Sequence, residues 1–325
     1  MSAAASPPEP ILCIGFSPAW QRVYRVGSYD PGDVVRSSAV SEFASGKSTN
    51  AARHAARDVT AVGRRPVTHL VPLGSGGDRF VRFGVEVDGV ETIGVPSASP
   101  LRSCTTVLES SGRATELIEN AGPLGDRFRL DDLLSVVEAN PAAAMVLSGS
   151  LPRDLPSDAF AQCIAAATVR GPVVIDAVGP PLTHAIDAGA SVVKINAEEL
   201  TKTTGRECPT VAATVGAAGS LVGGSQVSVV ITRGADATIV VADDDVTLVQ
   251  PPAVDGRIVS VIGAGDALTG RLAAELAEAD ELSEAVARAT AYVAAYLQHD
   301  PLHRLAPSDW AGWIDECVIR PWQRD

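Results

Sequence analysis

Short apolar runs alternate along the chain with longer stretches whose apolar positions recur every three to four residues. The runs at 11–16, 67–73, 144–147, 173–176, 191–195, 227–232 and 238–242 are rich in Val and Ile, as strands buried on both faces are. Between them, 49–62, 79–88, 131–139, 157–169 and 211–222 carry helical periodicity. The run 257–262 reads as one more strand. After Gly263 the pattern predicts almost continuous helix, with Ala-rich segments at 267–278 and 283–297. Strand–helix alternation of this kind predicts an α/β fold with a mostly parallel sheet covered by helices on both faces. Two regions break the rhythm. Residues 23–43 and 95–117 read as short alternating strands, such as 103–108 and 114–118, which predict a small β-sheet lid outside the main sheet.

The 325 residues suit a single α/β domain from residue 11 to 325, with lid strands inserted at about 17–43 and 95–121. Residues 1–10, an Ala/Ser/Pro tail without a basic start, read as a disordered leader. No apolar run reaches the roughly 18 residues of a membrane span, so no membrane partner is expected. The five cysteines are scattered without CxxC spacing, which fits a reducing cytoplasm and argues against a disulfide framework or zinc site. The five histidines show no metal-ligand spacing, and Trp310, Trp313 and Trp322 read as anchors for the C-terminal segment. A formal net charge of −13 argues against nucleic acid. Any anion site must then be built locally. Lysine occurs only at 47, 194 and 202, against 23 arginines, and two of those lysines fall within the motifs below.

Gly263-Ala264-Gly265-Asp266 opens a predicted helix. Glycines there let backbone amides face an anion, and an adjacent carboxylate can take a proton from an attacking hydroxyl. The plainer reading makes Asp266 an N-cap. Asn196 and Glu199 share one face of a first helical turn, where an amide and a carboxylate can hold Mg²⁺ through waters. They equally spell a capping box. Ser45-Gly46-Lys47-Ser48-Thr49-Asn50 tempts towards a P-loop, but position 41 is serine and no buried strand precedes it. What remains is a glycine turn opening a helix, with Lys47 and Asn50 offering a cation and an amide to a polar or phosphorylated ligand. Ser148-Gly149-Ser150-Leu151-Pro152 follows a predicted strand, where open parallel sheets bind ligands. Asp243-Asp244-Asp245 reads as a solvated hairpin turn.

Taken in order, these motifs resemble the ribokinase-like (PfkB) carbohydrate kinases, above all their phosphosugar branch. The resemblance also rests on Ser17-Pro18-Ala19, Gly74-x-x-Gly77-Asp78, Gly89-Val90-Glu91-Thr92, Arg102, Thr115-Glu116-Leu117 through Gly122-Pro123, and Thr232-x-Gly234-Ala235. It implies a three-layer ribokinase-like sandwich with a β-sheet lid, a homodimer through that lid, and a MgATP-dependent kinase acting on a sugar or sugar phosphate. Asp266 would be the base, with Gly263, Ala264 and Gly265 forming the anion hole. Asn196 and Glu199 would form the Mg²⁺-ATP motif, and Lys194, Thr232 and Gly234 would lie along the nucleotide. Gly46, Lys47, Asn50, Arg102 and Ser150 would line the acceptor site, with Arg102 clamping a substrate phosphate.

The chain departs from that pattern at five positions. Gln21 stands in the acceptor site where an aspartate that grips sugar hydroxyls is expected, and Ser17 replaces an asparagine. Ser48 and Ala237 replace glycines, and Arg271 replaces a small residue beyond Asp266. Phosphorylated ketoses are the expected acceptors, fructose 1-phosphate first, then tagatose 6-phosphate or fructose 6-phosphate. An unphosphorylated sugar or nucleoside, or a non-catalytic sugar-phosphate or nucleotide sensor, remains an alternative.

Overall fold

A computed structural model describes residues 8–56, 65–243, 245–254, 258–278 and 281–323. Their elements are, in chain order, β1 (Ile11–Ile14), β2 (Ala19–Val26), β3 (Ala39–Ser45), α1 (Lys47–Ala56), β4 (Val67–Leu73), α2 (Gly77–Phe83), β5 (Glu91–Pro96), β6 (Arg102–Glu109) and β7 (Ala114–Ile118). There follow α3 (Leu130–Ala139), β8 (Ala144–Ser148), α4 (Ala159–Ala166), β9 (Val173–Asp176), α5 (Pro180–Asp187), β10 (Val192–Asn196), α6 (Ala197–Thr204) and α7 (Val211–Val222). The last are β11 (Ser228–Arg233), β12 (Asp236–Ala242), β13 (Asp245–Gln250), α8 (Ala264–Ala277), α9 (Leu282–Tyr296) and β14 (Val318–Pro321).

The main sheet runs β14-β13-β12-β11-β10-β9-β8-β1-β4-β5. It is parallel from β5 to β11 and antiparallel from β11 to β14. Alternation along each strand sorts its side chains between two cores. Leu12 and Ile14 of β1 face the cluster that takes in α3, α4, α5 and α7, whereas Ile11 and Cys13 face the cluster of α1, α8 and α9. The result is three layers, as the periodicity predicts. The second sheet, β3-β2-β6-β7, pairs β2 with β6 in parallel and is otherwise antiparallel.

Several boundaries differ from expectation. Residues 91–96, partly assigned to the lid, form the edge strand β5 of the main sheet. The second lid insertion therefore begins at Arg102, and the first extends to Ser45. The described part of 257–262 is not a strand. Val259 N donates to the Leu297 carbonyl at the end of α9, so this segment crosses a helix end instead of pairing with a strand. The C-terminal region is not all helix, because β14 pairs with β13. The helix expected at 79–88 becomes α2 followed by a π-helical turn over Gly84–Asp88. At Gly84 a Cβ would collide with the Thr92 hydroxyl, so the close approach of β5 requires glycine. The helix expected to reach 62 is described to Ala56; residues 57–64, like residues 1–7 of the leader, lie outside the described residues. The 243–245 run joins β12 to β13, with Ala242 paired to Asp245 and Asp244 outside the described residues. Trp310 is buried against Tyr292, and Trp313 and Trp322 pack at the margins of the cores, as anchors would.

Helices α1 and α8 touch so closely that a Cβ on Gly270 would overlap the Ala51 carbonyl oxygen. Gly270→Ala is expected to cost about 1–3 kcal/mol of stability, the range for overpacking a tight contact. Chemical denaturation of the two proteins measures it, and equal midpoints would contradict the contact.

Candidate active site

The C-terminal ends of β8, β9 and β10 lie beside the N-terminal turns of α1 and α8. Helix α8 starts from Gly263, whose φ of 72° is left-handed and favours glycine. The amides of Gly265 and Asp266 fall in the first turn, where helix geometry supplies no partner carbonyl and adds partial positive charge. The Asp266 carboxylate projects from that turn, and its Oδ2 accepts from Asn50 Nδ2 at 2.8 Å. Gly265 also admits the Lys194 ammonium, since a Cβ there would lie 3.0 Å from Nζ.

The residue that organises this centre is Asp176, at the end of β9, which sequence reasoning did not single out. Its Oδ1 accepts from Lys47 Nζ at 3.0 Å, and its Oδ2 accepts from Lys194 Nζ at 3.0 Å and Thr269 Oγ1 at 2.9 Å. Asp176 and Lys194 are buried. Lys47 also donates to Glu199 Oε1 at 3.0 Å. Two carboxylates thus share one ammonium, and a second ammonium reaches towards the helix end. The signal available in sequence was positional: a carboxylate closing a central parallel strand, where ligands bind in such sheets.

These charges set the two aspartates apart. Burial alone would raise Asp176, but Lys194 and Lys47 outweigh it and hold the carboxyl at about 2. Burial and then the neighbouring Asp176 push Asp266 up to about 6, against the opposing pull of the Asn50 hydrogen bond and the two lysines. Lys47 loses some affinity for its proton through burial and regains more from Asp176 and Glu199, so it ends above its ordinary range. Three carboxyl groups, Asp176, Glu199 and Asp266, thus surround two lysines, and of the two aspartates Asp266 is the readier to accept a proton.

Asn196 and Glu199 make both halves of the capping box that opens α6. Asn196 Oδ1 accepts from Glu199 N at 2.8 Å, and Glu199 Oε2 accepts from Asn196 N at 3.1 Å. Glu199 Oε1 is left to Lys47. Thr232 pairs in register with Asn196, and Gly234, with φ 64°, turns the β11–β12 hairpin beside it. Lys194 does not extend along these strands but lies buried at the α8 end. Among the described residues no group of three or more His, Cys, Asp or Glu side chains is arranged to hold a metal by itself.

A cleft of about 580 Å³ opens beside Lys47, between the main sheet and the lid. Arg102, Ser148, Ser150, Glu119 and Glu199 line it with Lys47. Gly46, with φ 117°, lets the chain turn into α1 directly over Ser17. Arg102, at the start of β6, donates through its two terminal nitrogens to the carbonyls of Glu119 at 2.9 Å and Ser17 at 3.0 Å. Its buried Nε has no partner among the described residues. Gln21 is the one expected acceptor-site residue not brought to the centre. It is buried within the lid sheet, donates to Thr106 Oγ1 at 2.9 Å, and does not line the cleft. Of the other departures, Ser17 and Ser48 line the cleft, where Ser17 Oγ donates to the Ser150 carbonyl at 2.8 Å, whereas Ala237 and Arg271 lie away from it. Ser48 Oγ faces His69 Nε2 at 3.1 Å, Ala237 packs in the core of β12, and Arg271 lies over the rings of Trp310 and Tyr292.

Comparison with known proteins identifies the family. The model of the pfkB family carbohydrate kinases matches residues 11–302. A 1-phosphofructokinase of Haloferax volcanii is 32% identical over 257 residues, covering 77% of this chain and 79% of the relative. A 1-phosphofructokinase of Xanthomonas campestris is 30% identical, covering 91% and 93%. The crystal structure of phosphofructokinase-2 from Escherichia coli in complex with substrates and products superposes with a TM-score of 0.82 at 23% identity, over 94% of this chain and 98% of that one. At that identity the superposition speaks for the ribokinase-like fold. The chain belongs to the pfkB family of carbohydrate kinases and is a phosphotransferase that acts on a sugar hydroxyl.

Proposed function

We propose that the chain transfers the γ-phosphate of ATP to a hydroxyl of a phosphorylated ketose, with fructose 1-phosphate the first candidate. Tagatose 6-phosphate and fructose 6-phosphate follow. The observation that carries this reading is the placement of Asp266: a carboxylate held by Asn50 at a glycine-opened helix N-terminus beside Lys194, where burial and Asp176 raise it to about 6. Asp266 accepts the proton of the attacking hydroxyl, and the amides of Gly263 and Gly265 face the charge on the transferred group, while Ala264 N is taken by the Val261 carbonyl at 3.2 Å and shapes the turn. Lys194 adds charge at that helix end, while Thr232 and Gly234 flank the nucleotide. Gly46, Lys47, Asn50 and Ser150 orient the sugar.

The donor set suits Mg²⁺, because Asp176 and Glu199 already present hard oxygens to one shared cation, the Lys47 ammonium. Asn196 and Glu199 would hold the ion through waters, where it would neutralise charge on the nucleotide phosphates. The lid closes over the cleft to exclude water and limit ATP hydrolysis. The outer lid strands β3 and β7 expose Val40, Leu117 and Ile118, which suits a homodimer formed through the lid. The small-molecule acceptor and reducing-type cysteines fit a cytoplasmic enzyme built as one kinase domain.

The acceptor phosphate is assigned to Arg102, whose guanidinium suits bidentate binding. Its engagement with Ser17 and Glu119 favours a second reading, in which Arg102 staples the lid and the acceptor is unphosphorylated. ADP release with MgATP and a panel of ketose phosphates, free hexoses and nucleosides separates the two. The expected result is turnover on a ketose phosphate, with Arg102→Ala raising that acceptor's KM about 10- to 100-fold, as loss of a charged hydrogen-bonding clamp implies. Turnover only on free sugars or nucleosides, with KM unmoved by Arg102→Ala, would favour the second reading. Ligand binding without turnover on any acceptor would favour a sensor.

A further inference from the structure

Helix α1 carries two residues that the proposed chemistry uses, Lys47 and Asn50, and one turn beyond Asn50 it carries a buried arginine. Arg53 is 2% exposed and lies 5.5 Å from the Phe43 ring centre. Its Nε donates to Asp88 Oδ1 at 2.7 Å, one terminal nitrogen donates to Asn50 Oδ1 at 2.9 Å, and the other donates to the Ala44 carbonyl. Asp88 closes the π-helical turn after α2 and is 4% exposed. A buried ion pair is weak ground for stability, since desolvating both charges offsets their attraction. This one needs another explanation, and the amide between it and Asp266 supplies it.

An asparagine amide has an accepting end and a donating end. Asn50 Oδ1 faces Arg53 and, at 3.5 Å, the Ser45 hydroxyl, while Nδ2 faces Asp266. Flipping the amide would turn its oxygen to a carboxylate and its NH₂ to a guanidinium, so Arg53 permits one orientation only. We propose that Arg53, itself held by Asp88, is a positioning residue that locks the Asn50 amide so that it occupies Asp266 Oδ2 and leaves Oδ1 to receive the sugar hydroxyl. The proposal rests on the reading of Asp266 as the base. The charged and titratable groups around Asp266 are Asp176 from β9, Lys194 from β10 and Lys47 from α1. From α9, the Tyr296 hydroxyl donates to the Ile262 carbonyl at 2.7 Å and not to Asp266. Of the groups on α1, the Asn50 amide is the one whose orientation Arg53 controls.

The test follows the Asp266 titration directly, by carboxyl ¹³C NMR of aspartate-labelled full-length protein, with Asp266→Asn identifying the signal. Arg53→Lys keeps the charge but cannot serve three acceptors as a planar fork. It should raise the Asp266 pKa by about one pH unit, the scale of one hydrogen bond to a charged carboxylate. It should also lower kcat about tenfold, with sugar KM nearly unchanged, as for an interaction that acts in the transition state. Asp88→Asn should shift the titration the same way by less. In an Asn50→Ala background, Arg53→Lys should move it no further. An unchanged titration in folded Arg53→Lys and Asp88→Asn overturns the proposal, as does a full shift when Asn50 is already alanine. If the wild-type protein phosphorylated no acceptor, the base reading would fail separately, while the titration would still report whether the lock exists.

Discussion

Asp266→Asn lowers kcat for sugar phosphorylation by about 10²- to 10⁴-fold, the range for removing a positioned general base, with little change in ATP or sugar binding. The same substitution makes the protein more stable at neutral pH. Burial and the neighbouring Asp176 hold the folded carboxyl at about 6, above its ordinary 3.8. Ionising it therefore costs the folded state more than the unfolded state. The wild type keeps its full stability from this group below pH 3.8 and loses part of it as pH rises through 6. Asparagine carries no such penalty. The advantage of the variant should be small near pH 4 and reach about 1–3 kcal/mol by pH 8, after allowance for solvent reaching the cleft. Asp176 does not confuse the comparison, since its carboxyl titrates near 2. Urea unfolding at both pH values measures the difference. A variant no more stable than the wild type at pH 8 would contradict the raised carboxyl.

The second large effect comes from Asp176→Asn. The wild-type carboxylate neutralises Lys194, which is 3% exposed, and ties Lys47 to the floor of the cleft. Removing its charge leaves a buried ammonium without its partner, which typically costs 3–5 kcal/mol; about that loss is expected in denaturant unfolding. The kinetic signature is distinct from that of Asp266→Asn. Misplaced lysines should reduce kcat about 10²-fold, as a small positional error near the reacting groups does. Removing the like charge beside Asp266 should lower its pKa, so residual activity persists to lower pH. An acid limb that stays in place, or moves up, would show that Asp176 does not govern the base.

Much of this was legible in the chain because the chemistry-bearing residues sit in short local patterns. Glycines before Asp266, the Asn196–Glu199 spacing and the turn before Lys47 each announce a helix start, and helix starts at strand ends are where this sheet gathers its charges. The capping box shows the limit of that legibility. It was one of two readings of the same residues, and its hydrogen bonds are present without deciding what else Glu199 binds. Asp176 was hidden because it ends a strand with no motif around it, and its importance arises from Lys47 and Lys194, 129 and 18 residues away. Arg53 and Asp88 were hidden likewise: each occupies an ordinary position in its own helix, and only the packing of α1 against the π-helical turn joins them. The misread strand at 257–262 is rich in Ile and Val, yet its described part meets a helix end. Edge strands β5 and β14 escaped notice because only Thr92 and Val95 of β5 are buried and all four residues of β14 are exposed, which dilutes the apolar signal.

The central claim is that Asp266 activates a sugar hydroxyl for attack on ATP, and it is tested most directly by transfer of labelled γ-phosphate. Wild-type and Asp266→Asn proteins would be incubated with γ-³²P-ATP, Mg²⁺ and fructose 1-phosphate, and label in the sugar bisphosphate counted over time. The account predicts rapid labelling by the wild type and labelling slowed by at least about 10²-fold in the variant, with both proteins folded and binding ATP. Equal rates in the two proteins would contradict it.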